Sequence, residues 1–216
     1  MEDMVIRRRG FAGILLFWAL APLLAAPGAQ AQRKVPVAEL TTLKALGSRS
    51  APITIEVFSD FQCPACRTTY ESTLRPLIDN YVVTGKVYLV HRDFPLPMHT
   101  YSKTAARWAN AAAHLGKFEK VEAVLYAKQE TWGQSGNIEA ALAGVLTPAE
   151  LKRARQLVES GQLDAAIDSD IALGNSKRVS QTPSLFVTHG GETTSLPSGG
   201  VTYPLLKKYL DYLLKQ

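Results

Sequence analysis

Cys63 and Cys66 stand three positions apart in a chain of 216 residues that contains no other cysteine. Thiols at that spacing can form a structural cross-link, supply half of a metal site or exchange as a redox pair. Exchange needs a thiolate as attacking species, and a helix N-terminus stabilises one through its unpaired backbone N–H groups and the positive end of its dipole. Cys66 falls almost one turn after Cys63 on the same side of such a helix. From there it can bond to Cys63 or attack a mixed disulfide that Cys63 has made. Cys63 is therefore the expected attacking sulfur and Cys66 the resolving one. A structural disulfide closing so short a loop would contribute only about 2 kcal/mol, little for a domain of this size. A metal site would have to recruit two of His91, His99, His114 and His189. There is no second Cys-x-x-Cys, and the histidines are not paired at ligand spacing. No metal and no cofactor is expected beyond the Cys63–Cys66 disulfide itself.

The elements around the pair read as α/β. Ile53-Thr54-Ile55-Glu56-Val57-Phe58, after Ala51-Pro52, is a strand with its punctuation. From residue 63 to about 81 the spacing of Ala65, Tyr70, Leu74, Leu77, Ile78 and Tyr81 fits one helix face, with a kink expected at Pro76. Residues 86–92 read as a second strand, so strand, helix and strand make a right-handed parallel unit. Residues 97–178 are helical in pattern: 101–115 with Gly116 as stop, 118–129, 138–145, then a helix to 160 opened by Thr147-Pro148-Ala149-Glu150 as a capping box, and 163–176. Residues 184–188 read as a strand, His189-Gly190-Gly191-Glu192 as a hairpin turn and 193–196 as its partner. A helix over 204–214 closes the chain. Trp108 and Trp132 read as packing residues, and His91 as a strand-end residue without a catalytic role.

Phe58-Ser59-Asp60-Phe61-Gln62-Cys63-Pro64-Ala65-Cys66 resembles the active-site segment of DsbA-like, thioredoxin-fold oxidoreductases. A second stretch, Val179-Ser180-Gln181-Thr182-Pro183-Ser184, resembles the loop where that family places a cis-proline facing the disulfide. The resemblance covers most of the chain. It implies a thioredoxin-like fold, a mixed sheet flanked by helices with an inserted all-helical subdomain, built as a first core half over 51–96, an insert over 97–178 and a second half over 179–216. Cys63 and Cys66 would be catalytic. Thr182 and Pro183 would receive an extended substrate peptide along the Thr182 backbone. Pro64, Ala65, Phe61 and Asp60 would shape the site, with Asp60 a loop or cap residue and a possible modulator of Cys63. One departure stands out: many relatives carry a buried acid six residues before the first cysteine, where this chain has Val57. Glu56 is one residue off and, on a strand, should point to the other face. The family's strongest oxidants carry histidine where this chain has Ala65, so a less oxidising potential is expected.

The ends and composition bound the setting. Arg7-Arg8-Arg9, an apolar run over 11–26 interrupted by Pro22, and Ala29-Gln30-Ala31 read as an export signal cleaved near Ala31. Residues 32–50 read as a polar N-terminal extension. Removing 1–31 takes away three Arg, one Glu and one Asp, lowering the formal charge from +5 to +4. With bases scattered among acids, nucleic-acid binding has no support. A composition 46% hydrophobic suits one sizeable domain without a disulfide scaffold. The function implied is a periplasmic thiol:disulfide oxidoreductase acting on exported cysteine-containing proteins. It would be an oxidase reoxidised by a membrane quinone-linked partner, with a reductase or isomerase role as the first alternative and a metal-carrying thioredoxin-fold binding protein as the second. Isomerases of this type carry a separate dimerisation domain for which 32–50 is too short, so a monomer is expected.

Overall fold

The computed structural model describes residues 1–2, 36–197 and 201–216, and the fold below is that of the unit Lys34–Gln216. The export signal and its cleavage point fall outside the described residues. Among the described residues no helix is long and apolar enough to cross a membrane.

The centre is a five-stranded sheet in the order β1-β3-β2-β4-β5. β2 (Ile53–Ser59) and β3 (Val87–Asp93) are parallel, with Ile53 opposite Val87 and Ser59 opposite Asp93. β4 (Ser184–His189) runs antiparallel to β2, and β5 (Glu192–Ser195) antiparallel to β4. The hairpin between β4 and β5 turns on Gly190 and Gly191, whose φ values of 57° and 86° suit glycine at both positions. Alternation sets the faces: Ile53, Ile55, Val57 and Ser59 point to one side of the sheet and Glu56 and Phe58 to the other. The first set joins the main core. Phe58 instead meets Phe94 and Phe186 edge-on, at 6.2 and 5.6 Å between ring centroids, in a smaller cluster with Val179.

The parallel pair is linked by a helix that begins as α2 (Pro64–Thr69) and runs through π turns at Tyr70–Leu74 and Ile78–Val82 around α3 (Arg75–Leu77). Pro76 lacks an N–H to continue the ordinary ladder. The helix carries it between the two wide turns, a device that residue types alone do not announce.

The insert comprises α4 (Ser102–His114), α5 (Phe118–Ala127), α6 (Gln129–Ser135), α7 (Ile138–Leu142), α8 (Pro148–Glu159) and α9 (Asp164–Ser176). α4 packs on α5 and α8 through its buried alanines. α8 has the full capping box, Thr147 accepting from the Glu150 N–H and Glu150 from the Thr147 N–H. α9 approaches the sheet so closely that a Cβ on Gly174 would lie 2.6 Å from the Phe94 ring. α10 (Tyr203–Leu213) closes the chain against α3.

The segment 32–50 departs from its reading as a plain extension. It contains α1 (Val37–Leu43) and the two-residue strand β1 (Ala45–Leu46), antiparallel to β3 at the sheet edge. The helix is two turns long with one fully buried anchor, Leu40, too short to display an apolar period. Between the two elements lies Lys44, buried, its ammonium paired with Asp93 and, at 2.6 Å, with Asp170 of α9. The cluster extends outward. Arg92 donates to Asp170 at 3.0 Å and to Glu56 at 2.7 Å, and Lys177 donates to Glu56 at 2.8 Å. Asn110 and the Asp93 N–H complete it, donating to Asp93 at 2.7 Å and to Asp170 at 3.1 Å. His91 stands beside it, with Nδ1 3.0 Å from Glu122 and Nε2 3.4 Å from Asp93.

Candidate active site

Cys63 is the N-cap of α2, with extended backbone at φ −76° and ψ 122°, and Pro64 fills the first helical position, where no N–H is missed. Both sulfurs are nearly shielded, Cys63 at 7% and Cys66 at 1% exposure, while Pro64 and Ala65 are exposed. Both cysteines are free thiols, hydrogen-bonded to one another. The Cys66 hydrogen bond, followed by Thr182 and the N–H groups of Cys66 and Ala65, outweighs burial and lowers the Cys63 thiol to about 5. Cys66 moves the other way. Burial first, and then the adjacent Cys63 sulfur, push it well above an ordinary thiol. The pair is thus split into one sulfur that is charged at neutral pH and one that keeps its proton.

The loop before the helix is pinned by Asp60, whose carboxylate accepts from the N–H groups of Gln62 at 2.7 Å and Leu96 at 2.8 Å, and from the Ser102 hydroxyl. Its Oδ2 also lies 2.7 Å from His99 Nδ1. Asp60 therefore ties the cysteine loop to the segment after β3 and to the start of α4. The insert braces the same loop from another side. Gln129 donates to the carbonyls of Phe61 at 2.7 Å and Cys63 at 3.0 Å, and Gln62 donates to Gly133 at 3.0 Å and accepts from the Tyr101 N–H at 2.8 Å. Phe61 is buried, stacked on His91 at 4.9 Å and tilted against Tyr126 at 5.3 Å.

Over the sulfurs lies the loop before β4. The Thr182–Pro183 peptide is cis, and the Thr182 carbonyl oxygen is 3.5 Å from Cys63 Sγ. Thr182 and Pro183 are both buried beside the pair. Cys63, Cys66, Thr182, Pro183, Phe61 and Asp60 come together in one place, although the first and last elements of the set are more than a hundred residues apart in sequence.

The acids near the motif are occupied elsewhere. Glu56 lies on the opposite sheet face, held by Arg92 and Lys177, and the Asp60 carboxylate is spent on the loop donors. Val57, where relatives have their acid, is buried. Three side chains at the site carry no sequence signal of that role: Gln129 and Tyr126 of the insert, and Ser59, which lies within the motif. The four histidines do not converge on the cysteines. Among the described residues no three His, Cys, Asp or Glu side chains are grouped so as to hold a metal ion.

Residues 40–196 match the family described as Thioredoxin. The Na(+)/H(+) antiporter NhaA 3 of Salinispora tropica is 33% identical over 147 residues, 65% of this chain. The chain spans only 21% of that protein's length. Among solved structures, BdbD from Bacillus subtilis in its oxidised form superposes with a TM-score of 0.67 at 17% identity, over 80% of this chain and 93% of BdbD. Pseudomonas aeruginosa DsbA2 does so with a TM-score of 0.61 at 25% identity, over 80% and 94%. The matched stretch takes in the cysteine helix, the whole helical insert and the strand after Pro183, and the chain accordingly belongs to the thioredoxin family, with the fold of its DsbA-type oxidoreductases.

Proposed function

We propose that the chain is an exported thiol:disulfide oxidoreductase that passes the Cys63–Cys66 disulfide to cysteine pairs of exported proteins, acting as an oxidase. The observation that carries this reading is Cys63 at the N-cap of α2 with the cis Thr182–Pro183 peptide over it, the Thr182 carbonyl 3.5 Å from Sγ. The opposite displacement of the two thiols, Cys63 lowered to about 5 and Cys66 raised, supports it. A stabilised Cys63 thiolate favours the reduced protein and so makes the disulfide an oxidant. The value of about 5 falls between thiols near 7 in thioredoxin and near 3.5 in DsbA. A potential less oxidising than that of the family's strongest oxidants is expected, in line with the absence of a histidine at Ala65.

In the forward direction a substrate thiolate attacks Cys63, the more exposed sulfur, and Cys66 leaves. A second substrate thiol then attacks the mixed disulfide, closing the substrate's own bond and releasing Cys63 as the better leaving group. The Thr182 backbone beside Cys63 supports substrate docking in extended form. A membrane quinone-linked partner would reoxidise the pair, and the export signal over 1–31 would place the protein in the periplasm, working as a monomer.

Cys66→Ser should accumulate mixed disulfides through Cys63 in exporting cells, and their absence would overturn the exchange reading. Thiol-alkylation shift in intact cells fixes the direction. Oxidised Cys63 and Cys66 support the oxidase; a reduced pair contradicts it in favour of a reductase or isomerase.

A further inference from the structure

Each turnover puts charge on Cys66. When an incoming thiolate attacks Cys63, a new S–S bond forms, the Cys63–Cys66 bond breaks and its electron pair stays on Cys66. In the reverse step Cys66 attacks the mixed disulfide and the departing sulfur takes the charge. Among the described residues no carboxylate attends this sulfur: Glu56 faces away and Asp60 is committed to the loop. The Asp60 N–H, at 3.5 Å, donates to it, and the hydroxyls of Ser59 and Thr182 lie beside it, of which Ser59 is the one held by a further hydroxyl.

Ser59 ends β2 on the core face and is buried. Its Oγ lies 2.7 Å from the Tyr126 hydroxyl, which has no other hydrogen-bond partner among the described residues. A serine hydroxyl has one proton to give. If Tyr126 donates to Ser59, that proton is left for the Cys66 sulfur. Tyr126 is suited to stay the donor: burial, and then the nearby Cys66, hold its phenol well above its ordinary value. Its ring is fixed by stacking on Tyr70 at 4.8 Å and by Phe61.

We propose that the Ser59 hydroxyl, aimed by Tyr126, stabilises the Cys66 thiolate in both directions of exchange, making Ser59 a catalytic residue and Tyr126 a positioning residue. The inference rests on the exchange reading above. Ser59 keeps its proton throughout; charge passes from attacking to leaving sulfur, so no further reactant is required. Hydroxyls do here what a carboxylate at Val57 cannot.

Mixing the reduced protein with Ellman's reagent in a stopped-flow instrument separates the steps. A first release of thionitrobenzoate reports attack by Cys63, a second the resolving attack by Cys66. Ser59→Ala should slow the second phase on the order of tenfold at pH 7, the scale of one hydrogen bond to a charged group. The pH midpoint of that phase should rise by about one unit. Tyr126→Phe, which keeps the ring, should slow the second phase about threefold. The first phase should stay near wild type in both. The other titratable groups facing this pocket, Cys63, Asp60, Glu122, His91 and Tyr70, are retained in both variants. A second phase with wild-type rate and midpoint in both variants would overturn the inference. Loss of the first phase in the wild-type protein would instead remove the exchange reading and this inference with it.

Discussion

β2 and β3 lie side by side, yet the two regions they serve treat buried polar groups in opposite ways. At the end of β3, Lys44, Asp93, Asp170, Arg92, Glu56 and Lys177 form a cluster in which each charge meets an opposite one. Burial alone would lower Lys44 and raise Asp93. The partners outweigh it, raising the lysine and holding the aspartate far below the ordinary carboxylate range. Every shift locks in the charge already present. At the end of β2 no opposite charge is supplied to the sulfurs. Hydrogen bonds lower Cys63, while burial and the adjacent Cys63 sulfur raise Cys66, leaving a pair poised to change state. A fold can thus hold one buried polar region fixed and keep its neighbour reactive by choosing full ions for the first and dipoles for the second.

Breaking the charge cluster should have the largest effect on stability. Lys44→Met leaves Asp93 and Asp170 without their shared cation and should cost about 3–5 kcal/mol, read from urea unfolding of the oxidised protein. The Cys63 titration should stay in place. A shifted Cys63 would mean that the two regions are coupled and the contrast false.

The next effect is a pH dependence of opposite sign in the two regions. For His91 burial favours the neutral form, but Asp93 and Glu122 outweigh it and raise the ring from 6.5 to about 9. A raised histidine stabilises fully below its unfolded value, and the contribution fades as pH rises through about 9, an amplitude on the order of 3 kcal/mol. Cys63 is lowered to about 5, so its contribution in the reduced protein is complete above the unfolded thiol value and fades as pH falls toward 5. Oxidised protein, which lacks the thiol titration, should therefore lose stability between pH 6.5 and 9. Reduced protein should gain relative to it over the same range. His91→Gln should flatten the first trend and leave the second.

Thr147→Ala, in the insert and remote from both regions, should be the mildest. Loss of the α8 cap costs about 1 kcal/mol, with exchange rates unchanged; slowed exchange would show that the insert's hold on the cysteine loop extends through α8.

The redox site was legible because its chemistry is local: a Cys-x-x-Cys after a strand, with Pro64 to open the helix, and Thr182-Pro183 before another strand. Four of the five strands, the cysteine helix and most helices of the insert followed from alternation, period and punctuation such as Gly116 and the Thr147 to Glu150 box. What stayed hidden depends on tertiary contact. Lys44 meets partners 49 and 126 positions away, and a lysine between a short helix and a two-residue strand looks like any surface lysine. Tyr126 and Gln129 read as members of a helical face, since nothing in a sequence says where a hydroxyl or amide will point. His91, read as an ordinary strand-end residue, proved to be the ring under Phe61. Ser59 sat within the recognised motif without a role because its role needs Tyr126, 67 residues on.

The central claim is that the structure holds Cys63 as a thiolate. Its titration, followed by thiolate absorbance or by the pH dependence of alkylation in the reduced protein, tests this most directly. The structure predicts a midpoint near 5; a midpoint near 8.5, the value of an unperturbed thiol, would contradict it.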